Sequence, residues 1–137
     1  MREAPPDTVQ LIAGLITHMK QIVGDGACYA MLHYGAMEEG KRYGLAHPSG
    51  DLQEALARID QVLMHKSEVV HDDGANVTIK ITSSSLLMTG QRAVQGVVLG
   101  LVEGALTSAR KARYKGTVLT PGEAGEALLE LKREGSS

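Results

Sequence analysis

The stretch Gln95-Gly96-Val97-Val98-Leu99-Gly100-Leu101-Val102-Glu103-Gly104-Ala105-Leu106 decides how this chain is read. Its apolar residues run at helical density, yet glycines recur at i, i+4 and i+8. Each glycine in a helix interior costs about 1 kcal/mol relative to alanine. A stripe of them implies that another element lies within backbone reach of that face. The occupant is open at this point: an intramolecular crossing with a helix or the sheet, a second copy of the same helix, or a ligand in the groove. Arg92 and Glu103 fall on the same stripe. If two copies crossed antiparallel about Val97 and Val98, Arg92 of one chain would face Glu103 of the other, twice by symmetry. The dimer-contact candidates are therefore Arg92, Gly96, Gly100, Glu103 and Gly104. The alternative is that both charged side chains snorkel to solvent.

On the N-terminal side, three helical patterns precede this one. Val9, Ile12, Ile16, Met19 and Val23 recur at helical spacing, with Leu11, Leu15, His18 and Ile22 on an adjacent stripe. So wide an apolar arc predicts a helix that is mostly covered, with His18 an interior, hydrogen-bonded histidine. Gly24-Asp25-Gly26 breaks it. A second helix is expected from about Ala27 to Tyr43. In it Gly35 points to close packing and Gly44 to a C-terminal cap, while Gly40 has no local reason. Asp51 with Glu54 gives a capping box for a third helix, whose buried face is Leu52, Ala55, Leu56, Ile59, Val62 and Leu63.

The period then changes from helical to alternating. Glu68–His71 and Val77–Thr82 read as strands around the loop 72–76. Val77, Ile79 and Ile81 point one way and Thr78, Lys80 and Thr82 the other, so one face is buried and one wet. The glycine helix is expected from about Gly90 to Ala109. Tyr114 to Thr120 reads as a strand and 121–125 as a turn. Glu126 to Glu134 has a helical composition but follows a turn that suits a hairpin. The expectation is a single domain over 1–137, ordered from about residue 7 to 134, of class α+β and order α-α-α-β-β-α-β-β, with the helices on one face of a small antiparallel sheet.

The 137 residues are 43% hydrophobic and 22% charged with net charge −2, which excludes disorder as the main state and gives no global pull toward nucleic acid. There is no Trp and no Phe, so base-stacking platforms are nearly absent. The single cysteine cannot form an internal disulfide. The opening Met1-Arg2-Glu3-Ala4-Pro5-Pro6 has no apolar run of signal-peptide length. The most apolar stretch, Val94 to Leu106, is too short to span a bilayer. A cytoplasmic location without a membrane span is expected.

Signs of catalysis are sparse. The five histidines form no HExxH pattern. His71-Asp72-Asp73 is explained by polar turn residues. Glu38 and Glu39 point about 100° apart on a helix and make a poor acid–base pair. Ser83-Ser84-Ser85 lacks the strand–GxSxG–helix setting of a hydrolase, and Gly24-Asp25-Gly26 lacks the rest of a phosphate loop. Arg110, Lys111, Arg113 and Lys115 read as a solvated face favoured by the helix C-terminal dipole. Cys28 lies near a helix start, but no histidine in the same motif would activate it as a nucleophile. No metal and no cofactor are expected.

The order of elements resembles the small-molecule-binding domain of the 4-vinyl-reductase-like family, an architecture shared by the small subunits of the TRAPP vesicle-tethering complex. The residues that carry the resemblance are Gly26 through Gly40, similar to a family helix with spaced glycines, and Gln95 through Leu106, similar to its late glycine helix. The resemblance implies a dimerising domain that encloses an apolar pocket between helices and sheet. It implies ligands such as hydrocarbons or tetrapyrrole precursors. It also favours a strand for Glu126 to Glu134. Many family members carry a late cysteine cluster that can hold a metal, and this chain has no cysteine after Cys28. In the TRAPP subunits a helix cysteine can carry a fatty acyl chain, and Cys28 lies near the start of the matching helix. The functional expectation is a non-catalytic homodimer that binds a small apolar or amphipathic molecule. Its pocket candidates are Cys28, Met31, Leu32, Gly35, Met37, Leu87 and Met88, methionine being adaptable to irregular ligands. The alternatives are a structural adaptor with a filled core, and an enzyme of unknown reaction.

Overall fold

The computed structural model describes residues 7–45, 52–84, 92–123 and 126–134. The elements follow the order α1 (Asp7–Val23), α2 (Asp25–Leu45), α3 (Leu52–Leu63), β1 (Lys66–Asp72), β2 (Asn76–Thr82), α4 (Arg92–Arg110), β3 (Tyr114–Glu123) and β4 (Glu126–Arg133). This is the α+β order expected from the sequence. The terminal segment is a strand, and β3 runs on to Glu123, into the stretch expected to turn.

The strands form one antiparallel sheet in the order β1-β2-β4-β3. Two hairpins are joined through β2 and β4, with Val77 opposite Leu131 and Ile79 opposite Leu129. Alternation sends Val77, Ile79 and Ile81 of β2, with Ala127, Leu129 and Leu131 of β4, to the core face. There they meet Leu52, Ala55, Leu56 and Ile59 of α3 and Val98, Leu99, Val102 and Leu106 of α4. Lys80 on the other face is exposed.

The hairpin tip is tied down. Asp72 holds Arg110 through a two-pronged ion pair, and the Tyr114 hydroxyl donates to the Gly74 carbonyl at 2.6 Å. The Arg110 guanidinium beside Asp72 draws its carboxyl below the usual value and raises that of Arg110 in return. Asp73 caps the turn by accepting the Ala75 and Asn76 N–H groups, so the acids of the His71-Asp72-Asp73 motif serve the turn and the clasp.

α1 corrects one expectation. Only Ile16 of its described residues is buried, whereas Leu11 is 62%, Leu15 55% and Ile22 82% exposed. His18 also lies in solvent, not in an interior site. Hydropathy marks residues that avoid water, but among the described residues α1 packs sparsely, on α2 and through Ile16 against Ala93 and Val94 of α4. Among the described residues, no helix is long and apolar enough to cross a membrane.

Candidate functional site: the α2–α4 seam and its grooves

α2 and α4 form the most extensively packed pair of elements, and the glycine ladder is the reason. A Cβ on Gly96 would fall 2.8 Å from the Tyr29 ring. One on Gly100 would fall 2.6 Å from the His33 carbonyl oxygen, and one on Gly104 would collide with the Met37 carbonyl. Tyr29, His33, Met37 and Lys41 are spaced four apart, so they form the row that lies on this stripe. Gly40 is the reciprocal element, since a Cβ there would strike the Leu101 carbonyl. The residue without a local reason thus has a distant one. Because α2 of the same chain covers the stripe, a second copy cannot cross at Gly96, Gly100 and Gly104. The intramolecular occupant is the one present.

The two charged residues of that expected dimer contact are also engaged within the chain. Arg92 stacks 4.6 Å over the Tyr29 ring and lies 3.8 Å from Asp25. Tyr29 in turn stacks with His33 at 5.9 Å. His33 Nε2 is 2.6 Å from Glu103 Oε1, and the Gly116 N–H donates to Glu103 Oε2 at 2.5 Å. A carboxylate only accepts, so Nε2 carries the proton of this hydrogen bond. Glu103 is 2% exposed, and these two donors make burial of its carboxylate affordable. A polar file therefore runs Asp25, Arg92, Tyr29, His33, Glu103, Gly116 along one side of the seam. The sequence reading missed Tyr29 and His33. Their signal was the four-residue spacing opposite the glycines.

The other side of the seam is apolar. Met31, Leu32, Gly35, Ala36, Val97 and Leu101 line an open groove of about 420 Å³, with Glu39 at its rim. Three pocket candidates meet here: Met31, Leu32 and Gly35. A Cβ on Gly35 would meet nothing within 4 Å, so this glycine leaves the groove floor open and supports no close packing. Met37 lies elsewhere, in a second groove at the end of α4. Cys28 lines neither groove. It is fully buried among Ile16, Ala93 and Val94, with Sγ 3.9 Å from the Ile16 carbonyl oxygen. Leu87 and Met88 lie outside the described residues. The described apolar space thus lies between two helices. Among the described residues, the helix–sheet interface carries the main core, with Ile79, Ile81 and Leu129 against Leu56, Ile59, Val102 and Leu106. Ala36, Val97 and Leu101 were missed as lining residues because each reads equally well as core.

No protein-family model and no curated protein matches the chain. Among solved structures, the chain is similar to a trafficking protein particle complex subunit 3 from Naegleria fowleri covalently bound to palmitic acid. The TM-score is 0.67 with 15% identity over 93% of each chain. It is also similar to the phenol-responsive sensory domain of the transcription activator PoxR with phenol. There the TM-score is 0.69 with 10% identity, over 91% of this chain and 73% of that one. At these identities the likeness is one of fold. It supports the TRAPP-like architecture and does not single out the 4-vinyl-reductase-like family.

Proposed function

We propose that the chain is a non-catalytic binding module that holds a small apolar or amphipathic molecule along the α2–α4 seam and works as a homodimer. The observation that carries this reading is the apolar groove beside Gly35, about 420 Å³ in volume and floored by residues of both helices. Its volume lies within the range of ligand pockets, roughly 300–1,000 Å³. Two proteins of the same fold are described with palmitic acid and with phenol, which supports a ligand of this chemistry. The exposed row Leu11, Leu15 and Ile22 on α1 supports a dimer contact, because an apolar row this open favours cover.

The test uses palmitic acid and phenol as probes. Native mass spectrometry of freshly purified protein, compared with the denatured spectrum, reports any carried molecule. Gly35→Leu fills the groove with little risk to the fold. It should weaken probe binding at least tenfold and leave the melting temperature unchanged or raised. Equal binding by both proteins would sink the reading. A mass retained after denaturation would move the ligand to Cys28.

A second reading is a structural adaptor, favoured by the same exposed row on α1. It predicts bare chains in the native spectrum and no probe binding.

A further inference from the structure

We propose that the groove where the end of α4 meets α2 and β3 binds a phosphate group. It is separate from the apolar groove and holds about 430 Å³. Lys41 enters from α2, and Lys111 and Arg113 both enter from the short connection between α4 and β3. Met37 and Tyr114 supply apolar wall, and Ser108 adds a hydroxyl.

The backbone explains how Lys111 is placed at this groove. α4 closes with the Ala112 N–H donating to the Thr107 carbonyl at 3.2 Å, and Lys111 sits at φ 53°. This closure is normally built on glycine, because a left-handed residue with a Cβ is strained. The end of α1 uses Gly24 at φ 90°. α3 closes in the same way on Met64 at φ 57°, with the His65 N–H donating to the Asp60 carbonyl at 3.2 Å, so the turn is not particular to this groove; at α4 it brings Lys111 to the groove wall.

The charges around the groove are unequal in freedom. Arg110 is locked to Asp72. Lys41 and Arg113 touch Glu38 at 3.0 Å and Glu134 at 3.5 Å, but these pairs are solvent-exposed and weak, so an anion competes for both cations. Among the described residues, no ion pair engages Lys111. Three cationic donors from two segments, α2 and the connection between α4 and β3, line one groove and suit a multiply charged phosphate.

The experiment is a titration of amide chemical shifts with inorganic phosphate at constant ionic strength against chloride. The Lys111, Ala112 and Arg113 amides should move together. Lys111→Gly relieves the left-handed strain while removing the cation, so its melting temperature should hold or rise as its Kd for phosphate rises at least fivefold. Arg58→Ala removes an equal charge from an exposed site on α3 and should leave the Kd unchanged. Two further arms identify the source. Tighter binding of hexyl phosphate, with no retention on vesicles, supports a free phosphorylated molecule. Lys111-dependent retention on phosphatidylcholine vesicles doped with phosphatidic acid supports a lipid headgroup. The proposal is overturned if those amides stay still, or if Lys111→Gly titrates as the parent does. Neither result touches the apolar groove, whose probes and variant are different.

Discussion

His33 and Glu103 meet at 2.6 Å between Nε2 and Oε1, and the second oxygen of Glu103 accepts the Gly116 N–H. One buried carboxylate thereby joins α2, α4 and β3. Glu103→Ala strands an imidazole and a buried N–H group, and should cost about 3 kcal/mol or more. Glu103→Gln keeps one acceptor and should cost about 1–2 kcal/mol. Urea denaturation of both variants checks the order. An alanine variant within about 0.5 kcal/mol of the parent would show that the pair is incidental.

The glycines of the seam divide into two kinds. Gly104→Ala drives a methyl into the Met37 carbonyl and should destabilise by about 3 kcal/mol or more, since both sides of the clash are backbone. Gly35→Ala meets open space and should stabilise by up to about 1 kcal/mol through helix propensity. Thermal melts of the two variants should move in opposite directions. Parallel shifts would contradict the packing described.

The exposed row on α1 offers a direct test of association. Leu15→Glu with Ile22→Glu should convert a dimer to a monomer in light scattering after size exclusion. The melting temperature of the isolated chain should change little, because both side chains are already in water. A dimer that survives both charges places its contact elsewhere.

His65 predicts a pH dependence. Its side chain is buried, Nε2 lies 3.2 Å from Asp60 Oδ1, and neither ring nitrogen has a well-formed hydrogen-bond partner among the described residues. Burial pulls its pKa below the ordinary 6.5, with Asp60 opposing that pull. The unfolded chain then takes up a proton at higher pH than the folded one. Stability from this group is fully present above about 6.5 and falls as pH drops toward the depressed folded value. Melting temperatures from pH 8 to 5.5 should decline, and His65→Gln should flatten that part of the curve. An equal slope in the variant assigns the dependence to other groups.

Much of this architecture is legible in local patterns. The alternation of Val77, Ile79 and Ile81 fixes one sheet face, and the stripe at Gly96, Gly100 and Gly104 announces a backbone-close neighbour. What covers the stripe is not legible. The row Tyr29, His33, Met37 and Lys41 mixes aromatic, titratable, apolar and charged residues, so it carries no hydropathic period. Gly40 is explained only by Leu101, sixty-one positions away in the chain. The exposed flank of α1 was misread because periodicity reports which side chains avoid water and is silent on what covers them. For the same reason Cys28 and the apolar groove separate in space although they are neighbours in sequence.

The backbone contact along the seam has a consequence for selectivity. Helices that touch through side chains can part by bending or by rotamer changes, and a groove between them then breathes to suit its guest. α2 and α4 touch through Gly40, Gly100 and Gly104 against main-chain atoms, with no side-chain cushion to yield. The groove width is therefore set by the covalent chain, and the side chains of Met31, Leu32, Glu39, Val97 and Leu101 remain to adjust its depth. If the proposed ligand sits here, such a groove would sort guests by cross-section and tolerate variation in their length.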